Sequence, residues 1–345
     1  MSVQAPGAVV LVRPRHFTPN PATAADNTFQ SDDVDRSAAD VAQSAYDEVT
    51  RAAAALSEAG VTVHLFDDED PTRCDSVFPN NWFSTHAGGR VAVYPMYSPS
   101  RRTERRTDII ETLKARYRVQ EVVDYSGLEH DGAFLEGTGA MVLDHVTRVA
   151  YAARSHRANP IVLERFCSQF GYEPMVFDAT DESGVPIYHT NVLMGIATRF
   201  ALVGLDLIRD ETRREEIAES LAAPGRVVIH LSESQVRDFA GNAIELSTPE
   251  GRVLALSSRA ASSLTADQRA TIERSCRMLV LDVPTIELAG GSVRCMLAGV
   301  HLTSRPRARA VSVLVPATGA PLSGVVGSTG PVPAAGSAHS RAVAV

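Results

Sequence analysis

The chain has 345 residues, of which 44% are hydrophobic and 21% charged, and its formal net charge is −8. This composition is typical of a soluble globular protein, and the acidic balance argues against a nucleic-acid partner, which would need a basic face. Among 33 basic side chains only Lys114 is lysine, on a predicted solvated helix face. That excludes a phosphate-binding loop ending in Gly-Lys and a Schiff-base lysine.

The folded part is predicted to repeat one unit of about 50 residues, made of a hairpin, a helix and one further strand. In chain order, helices are predicted over residues 38–59, 103–117, 159–170, 210–222 and 265–276. The strands that follow them are predicted at 61–66, 118–123, 174–177, 226–231 and 278–283. Hairpins are predicted at 81–94, 139–153, 191–203 and 242–257, and a fifth pairs 292–302 with 8–12.

Pairing the first and last strands in one sheet would close the five units into a ring and remove exposed sheet edges. The sequence therefore predicts an α/β fold of five ββαβ units around an axis, with a two-domain α/β protein as the alternative. Residues 305–345 are mainly Ala, Gly, Ser, Pro and Val, which cannot bury enough apolar surface to fold. We predict one folded domain over 1–304 and a disordered tail over 305–345, or a short docked strand at 310–315.

The sequence has neither a run of about 20 apolar residues that would span a membrane nor a signal segment at its start. Its four cysteines lack the paired spacing of a zinc site or a disulfide scaffold. We therefore expect reduced thiols, no metal and a cytoplasmic location.

Residues at equivalent strand starts of successive units would converge near the axis. Three of these starts carry Glu136, His189 and Cys295. A thiol, an imidazole and a carboxylate can act as nucleophile, acid/base and orienting group. Taken singly, each residue could have a purely structural role: Cys295 as a buried thiol, His189 as a core histidine, and Glu136 as a carboxylate that hydrogen-bonds a turn. Their matching places in different units favour a catalytic site.

Seven segments resemble the guanidine-modifying enzymes of the pentein (amidinotransferase) superfamily, and within it most resemble the citrulline ureidase branch. They span roughly residues 9–303 and are RPRHFTPNPATAADNTFQ, DSVFPNNWFSTH, YPMYSPSRRTERR, FLEGTGAMVLD, YHTNVLMGIAT, FAGNAIEL and GGSVRCMLAGVHL. The resemblance implies the five-bladed α/β propeller of the pentein fold, no cofactor, and a small amino-acid substrate. No nucleic-acid or membrane partner is expected, and a homo-oligomer is left open.

The resemblance also implies roles for individual residues. Cys295 matches the nucleophile, His189 the general acid/base, and Glu136 the carboxylate that binds a substrate nitrogen and orients the site. The wall around the planar head group comprises Asp75, Phe78, Asn80 and Asn81. The residues that fall where related dimethylarginine hydrolases bind the substrate α-carboxylate are Arg101 or Arg102, and Arg157, with Arg154 as a nearby competitor.

Related arginine-directed enzymes carry carboxylates where Asn80 and Asn81 stand. A guanidinium is always charged and is best held by carboxylates, whereas a ureido group is neutral and its carbonyl needs a donor. We therefore predict hydrolysis of the ureido group of citrulline to ornithine, ammonia and carbon dioxide. The segment after the nucleophile, AGVHL, lacks the glutamate expected of this branch.

Two alternatives remain open. One is an arginine deiminase, a dimethylarginine hydrolase or an amidinotransferase acting on a charged guanidine. The other is a non-catalytic binding protein. The ribosome anti-association initiation factor has the same propeller fold but does not catalyse this reaction.

Overall fold

The structure is a computed structural model and describes residues 4–31 and 36–306. The predicted tail, and the alternative strand at 310–315, lie outside the described residues apart from positions 305 and 306. Within the described ranges, no helix combines the length and apolar character needed to cross a membrane.

The described residues form five sheets of three strands each. In chain order the strands are β1 (Ala8–Pro14), β2 (Thr62–Asp68), β3 (Phe83–His86), β4 (Arg90–Val93), β5 (Glu121–Asp124), β6 (Val142–Asp144), β7 (Val149–Ala153), β8 (Glu173–Phe177), β9 (Met194–Ile196), β10 (Phe200–Val203), β11 (Val227–His230), β12 (Ile244–Thr248), β13 (Gly251–Ser257), β14 (Arg277–Leu281) and β15 (Ala298–Gly299). The sheets have the strand orders β15-β1-β2, β3-β4-β5, β6-β7-β8, β9-β10-β11 and β12-β13-β14.

Every sheet has the same pairing pattern. Its middle strand pairs antiparallel with one neighbour and parallel with the other. A parallel pair needs a crossover of a dozen or more residues, and a helical segment supplies it in each sheet. The helices are α1 (Ala38–Glu58), α2 (Thr107–Arg116), α3 (Gly137–Ala140), α4 (Pro160–Phe170), α5 (Thr190–Leu193), α6 (Glu211–Ala222), α7 (Glu233–Arg237), α8 (Ser258–Ser263), α9 (Ala266–Glu273), α10 (Pro284–Glu287) and α11 (Val293–Met296).

The predicted alternation of hairpin, helix and strand is present in all five sheets, but some local predictions are wrong. The helix predicted at 103–117 begins only at Thr107, after a separate 3₁₀ helix at Pro99–Glu104. The backbone of Arg105 and Arg106, between the two helices, is extended. The Arg105 guanidinium pairs with Glu129, and the Arg106 guanidinium pairs with Asp108. Positions 139, 191 and 292, predicted as hairpin starts, lie in or beside the single-turn helices α3, α5 and α11.

Apolar side chains pack between the sheets. One buried cluster joins β1, β3, β4 and α2, and a second joins β4 with β6, β7 and α4. A third extends over the sheets of β7, β10 and β13, and a fourth joins β12 and β13 with β1 and α1. Burial of apolar surface therefore links each sheet to the next one along the chain, and the last sheet to the first.

Candidate active site

The single-turn helices bring the candidate residues together, because each precedes the first strand of a sheet. The turn before β3 contacts both α3 and α11, and α3 also contacts α5. The residues on these turns are Asn80 and Asn81 before β3, Glu136 capping α3 before β6, His189 capping α5 before β9, and Cys295 in α11 before β15.

These elements enclose a cavity of about 10 Å³, which is room for about one water molecule. The lining residues that the sequence predicted are Asp75, Phe78, Asn81, Arg101, Arg157, His189 and Cys295. The lining residues that it did not predict are Thr23, Asn27, Tyr188, Ala289 and Gly291. The site is therefore narrow in this structure, with its thiol, imidazole and charged groups around one small space.

His189 and Glu136 form a buried pair. His189 Nε2 lies 2.8 Å from Glu136 Oε2. Burial alone would raise the pKa of Glu136, but Arg157, His189 and Arg101 together lower it below its usual value. Burial lowers the pKa of His189 to about 4, although Glu136 opposes the shift. Because an ionised carboxylate only accepts hydrogen bonds, the neutral imidazole carries its proton on Nε2 and leaves Nδ1 as its basic nitrogen.

Two side-chain amides surround the Cys295 sulfur. The Nδ2 atoms of Asn191 and Asn242 each lie 3.3 Å from Cys295 Sγ. Asn242 Oδ1 accepts from the backbone N–H groups of Arg294 at 3.0 Å and Cys295 at 3.4 Å. Since a backbone N–H can only donate, the oxygen of Asn242 must face the backbone and its NH₂ must face the sulfur. Asn242 therefore donates a hydrogen bond to Cys295 Sγ.

Arg101 fixes the orientation of the Asn81 amide in the same way. Its Nε and Nη2 donate to Glu104 at 3.0 and 2.9 Å, and its Nη1 donates to Asn81 Oδ1 at 3.1 Å. A guanidinium has no acceptor, so Asn81 must direct its oxygen at Arg101 and its NH₂ away from it. Asn81 Nδ2 is buried and has no hydrogen-bond partner among the described residues. Asn81, which lines the cavity, therefore has an unsatisfied donor.

Gly139 makes room for this arrangement. A Cβ on Gly139 would lie 2.2 Å from Asn81 Nδ2 and 2.9 Å from His189 Nδ1, closer than van der Waals contact allows. Asn80 is fully buried beside the cavity without lining it, and within the described chain neither of its amide atoms has a hydrogen-bond partner.

Of the four arginines considered for the substrate carboxylate, the structure brings two to the cavity. Arg157 is buried, and its Nε and Nη2 donate to Asp26 at 3.2 and 2.6 Å. Arg102, next to Arg101 on the 3₁₀ helix, points elsewhere, contacting Met96 O and the carboxylate of Glu129. Arg154 also lies away from the cavity, in an exposed pair with Asp178.

Several residues of the site escaped the sequence reasoning. Asp26, Thr23 and Asn27 lie in the segment RPRHFTPNPATAADNTFQ near the N-terminus. Nothing in its pattern indicated that Asp26 would pair with Arg157, or that Thr23 and Asn27 would line the cavity with Cys295. Asn191 and Asn242 stand at the predicted strand starts, which was the available signal for them.

The fold and the site together define a protein of the pentein superfamily, as the sequence resemblance predicted, and comparisons with known proteins agree. The family profile described as "N,N dimethylarginine dimethylhydrolase, eukaryotic" matches residues 13–302. Because this match covers well over half of the chain, the protein belongs to that family. No curated protein matches the sequence.

Solved structures of low sequence identity share the fold. The N-terminal domain of ArgZ, a cyanobacterial arginine dihydrolase solved as a cysteine-to-serine mutant with substrate, has a TM-score of 0.64 and 15% identity over 85% of this chain and 97% of its own. AgrE with L-arginine has a TM-score of 0.66 and 16% identity over 87% of this chain and 41% of its own. A dimethylarginine dimethylaminohydrolase adduct with S-methyl-L-thiocitrulline has a TM-score of 0.54 and 14% identity, over 85% of this chain and 98% of its own.

Proposed function

We propose that the protein is a cysteine-dependent hydrolase that removes the ureido group of L-citrulline. The observation that carries this proposal is the buried, unpartnered NH₂ of Asn81, whose direction Arg101 fixes. A ureido oxygen would accept a hydrogen bond from this group. A guanidinium has only donors and would leave Asn81 unsatisfied, at a cost of about 1–3 kcal/mol.

The remaining residues of the cavity supply the chemistry. Cys295, near the amides of Asn191 and Asn242, attacks the ureido carbon, and the NH₂ of Asn81 stabilises the charge that develops on the ureido oxygen. His189 Nδ1 takes the Cys295 proton as the sulfur attacks, delivers it to the departing nitrogen and then removes a proton from water, while Glu136 holds the imidazole in place. Hydrolysis of the S-carbamoyl enzyme frees the thiol, and one water is consumed in forming ornithine, carbon dioxide and ammonia.

Arg157 is the proposed clamp for the substrate α-carboxylate. Its fork is occupied by Asp26, and a carboxylate of the substrate would make the same two-pronged contact. A cavity of about 10 Å³ does not hold an amino acid, so Asp26 and its neighbours Thr23 and Asn27 must move when substrate enters. Arg101 is proposed to position Asn81 instead, because each of its nitrogens already donates to Glu104 or Asn81.

We further propose that the five sheets form a five-bladed propeller around one axis. Two observations support this arrangement. The apolar clusters link each sheet to the next and the fifth to the first. The first strand of every hairpin, together with β15, contributes to the lining of one shared cavity. The cytoplasmic location stays a prediction.

A second candidate is hydrolysis of arginine itself to ornithine with release of two ammonia molecules. The observation that favours it is the buried carboxylate of Asp75 at the cavity, a partner suited to a cationic guanidinium. The names of two relatives in fold agree with it, because ArgZ is described as an arginine dihydrolase and AgrE was solved with L-arginine.

The test is to incubate the purified protein with L-citrulline or L-arginine and to measure ornithine, citrulline and ammonia over time. We expect ornithine and ammonia in equal amounts from citrulline, and much slower turnover of arginine. The Cys295→Ala variant should be inactive, whereas Cys167→Ala, which removes a buried thiol in α4, should be active. Efficient turnover of arginine without turnover of citrulline would refute the proposal, and two ammonia per ornithine from arginine would establish the second candidate.

A further inference from the structure

A second cavity, of about 50 Å³, lies apart from the catalytic cavity. Residues of β3, β6, β9, β12 and β15 line it, together with Arg294 and His145. Arg294 and the nucleophile Cys295 are consecutive in α11, yet Arg294 lines this cavity whereas Cys295 lines the catalytic one. The volume corresponds to several water molecules or one small ion.

Arg294 carries an uncompensated charge at this cavity. Within the described part of the chain its side chain makes one hydrogen bond, from Nη1 to the backbone oxygen of Leu297 at 3.0 Å, and forms no ion pair. Burial lowers the pKa of Arg294 to about 10, so the guanidinium remains charged at neutral pH. Arg294 is only partly exposed, and an anion bound beside it would compensate a charge that solvent reaches in part.

The one carboxylate that lines the cavity is already neutralised. Glu245 Oε1 lies 3.0 Å from Arg252 Nε, and the other oxygen of Glu245 accepts from the backbone N–H of Thr198 at 2.7 Å. Arg252 and Glu245 therefore cancel, and Arg294 leaves the cavity with one net positive charge.

His145 adds a second polar side chain to the lining of this cavity. Its Nδ1 lies 2.7 Å from the Tyr172 hydroxyl. Burial raises the pKa of Tyr172 to about 12, and the Arg148 guanidinium also interacts with this hydroxyl. The contact with the Tyr172 hydroxyl occupies Nδ1, so Nε2 is the ring nitrogen of His145 that this hydroxyl does not contact. Burial, with smaller contributions from His301, His86, Arg148 and Arg294, holds the pKa of His145 well below its usual range.

We propose that this cavity binds a small monovalent anion, such as chloride, formate or bicarbonate, between the Arg294 guanidinium and the His145 ring. The anion would neutralise the guanidinium and tie the turn that carries Cys295 to the first strands of all five sheets. The proposal concerns folding stability and stands independently of the substrate proposed for the catalytic cavity.

The test measures the thermal midpoint of unfolding while sodium chloride or sodium formate replaces sodium gluconate at constant ionic strength. Gluconate is too large for the cavity. We expect the midpoint of the wild-type chain to rise by about 2–4 °C with increasing chloride or formate, following ligand linkage. Arg294→Met should lose this rise. Arg154→Met, which removes an exposed arginine, should retain it. The proposal would be overturned if chloride or formate raised the thermal midpoint of Arg294→Met as much as that of the wild type. It would also be overturned if the wild-type midpoint were the same in chloride or formate as in gluconate.

If Arg294→Met does not fold, wild-type crystals soaked in sodium bromide provide the second measurement. We expect an anomalous bromide peak about 3.3 Å from the Arg294 guanidinium, within hydrogen-bonding range. A well-diffracting soaked crystal without a peak in this cavity would refute anion binding.

Discussion

Changing Asn81 to Asp tests the substrate assignment directly. The two side chains have the same shape, and Arg101 would still find an oxygen where Asn81 Oδ1 now lies, at 3.1 Å from its Nη1. The change replaces the buried, unpartnered NH₂ by a second oxygen, so the cavity loses the donor proposed for the ureido oxygen. Removing one donor from a developing oxyanion costs about 10²–10³ in kcat, or about 2.7–4 kcal/mol.

The assay compares kcat/KM for L-citrulline and L-arginine in the wild type and Asn81→Asp, from ornithine and ammonia release. We expect citrulline turnover to fall by about 10²–10³ and the ratio of arginine to citrulline turnover to rise. Asn159→Asp is the matched control, because Asn159 caps α4 and aspartate caps a helix equally well. Unchanged citrulline kinetics in a folded Asn81→Asp protein would refute the reasoning.

Five further outcomes are expected. Iodoacetamide at neutral pH should label Cys295 first, because burial raises the pKa of each of the other three thiols to about 12. Citrulline should protect Cys295 from this labelling, and mass spectrometry of the peptides checks both outcomes. Arg157→Ala should chiefly raise KM for citrulline in steady-state assays, since it removes binding common to ground and transition states, whereas Arg154→Ala should not. Asn242→Ala should slow alkylation of Cys295 near neutral pH, and equal alkylation rates would exclude its effect on the thiolate. With decreasing pH, kcat/KM should fall towards about pH 4 as His189 becomes protonated. Because the unfolded chain binds that proton from about pH 6.5, denaturation at a series of pH values should show about 3 kcal/mol of stability lost between pH 6.5 and 4.

Local sequence signals were sufficient for most helices and strands. In α4, Asn159 caps the helix, Pro160 occupies its first position, and Gly171 ends it with a φ of 71°, all of which the sequence predicts. Tertiary contacts decide the rest. β5 begins at Glu121 instead of 118, because the backbone N–H of Arg118 donates to Thr303, far away in the chain. The two residues of β15 are a strand only because they pair with β1.

The candidate site also has features that the sequence predicts and features that depend on tertiary contacts. The cysteine, the histidine and the carboxylate of the candidate site could be predicted, since each stands at the start of a repeated unit. The direction of an amide cannot be read from a sequence, because it depends on which neighbour donates to its oxygen. For Asn242 those neighbours are two backbone N–H groups of α11, and for Asn81 the neighbour is Arg101. Both contacts join segments distant in the chain.

Position 101 of the site carries an arginine whose role a lysine could not fill. Arg101 makes three contacts at once, two with Glu104 and one with Asn81, through three nitrogens of one plane. A lysine ammonium is a point charge without that fixed geometry and could not hold the carboxylate and the amide in register. If the proposed function holds, the choice between a ureido group and a guanidinium therefore depends on Arg101, because it sets the atom that Asn81 presents to the substrate. Arg101→Lys should accordingly weaken discrimination between citrulline and arginine more than it weakens binding of either.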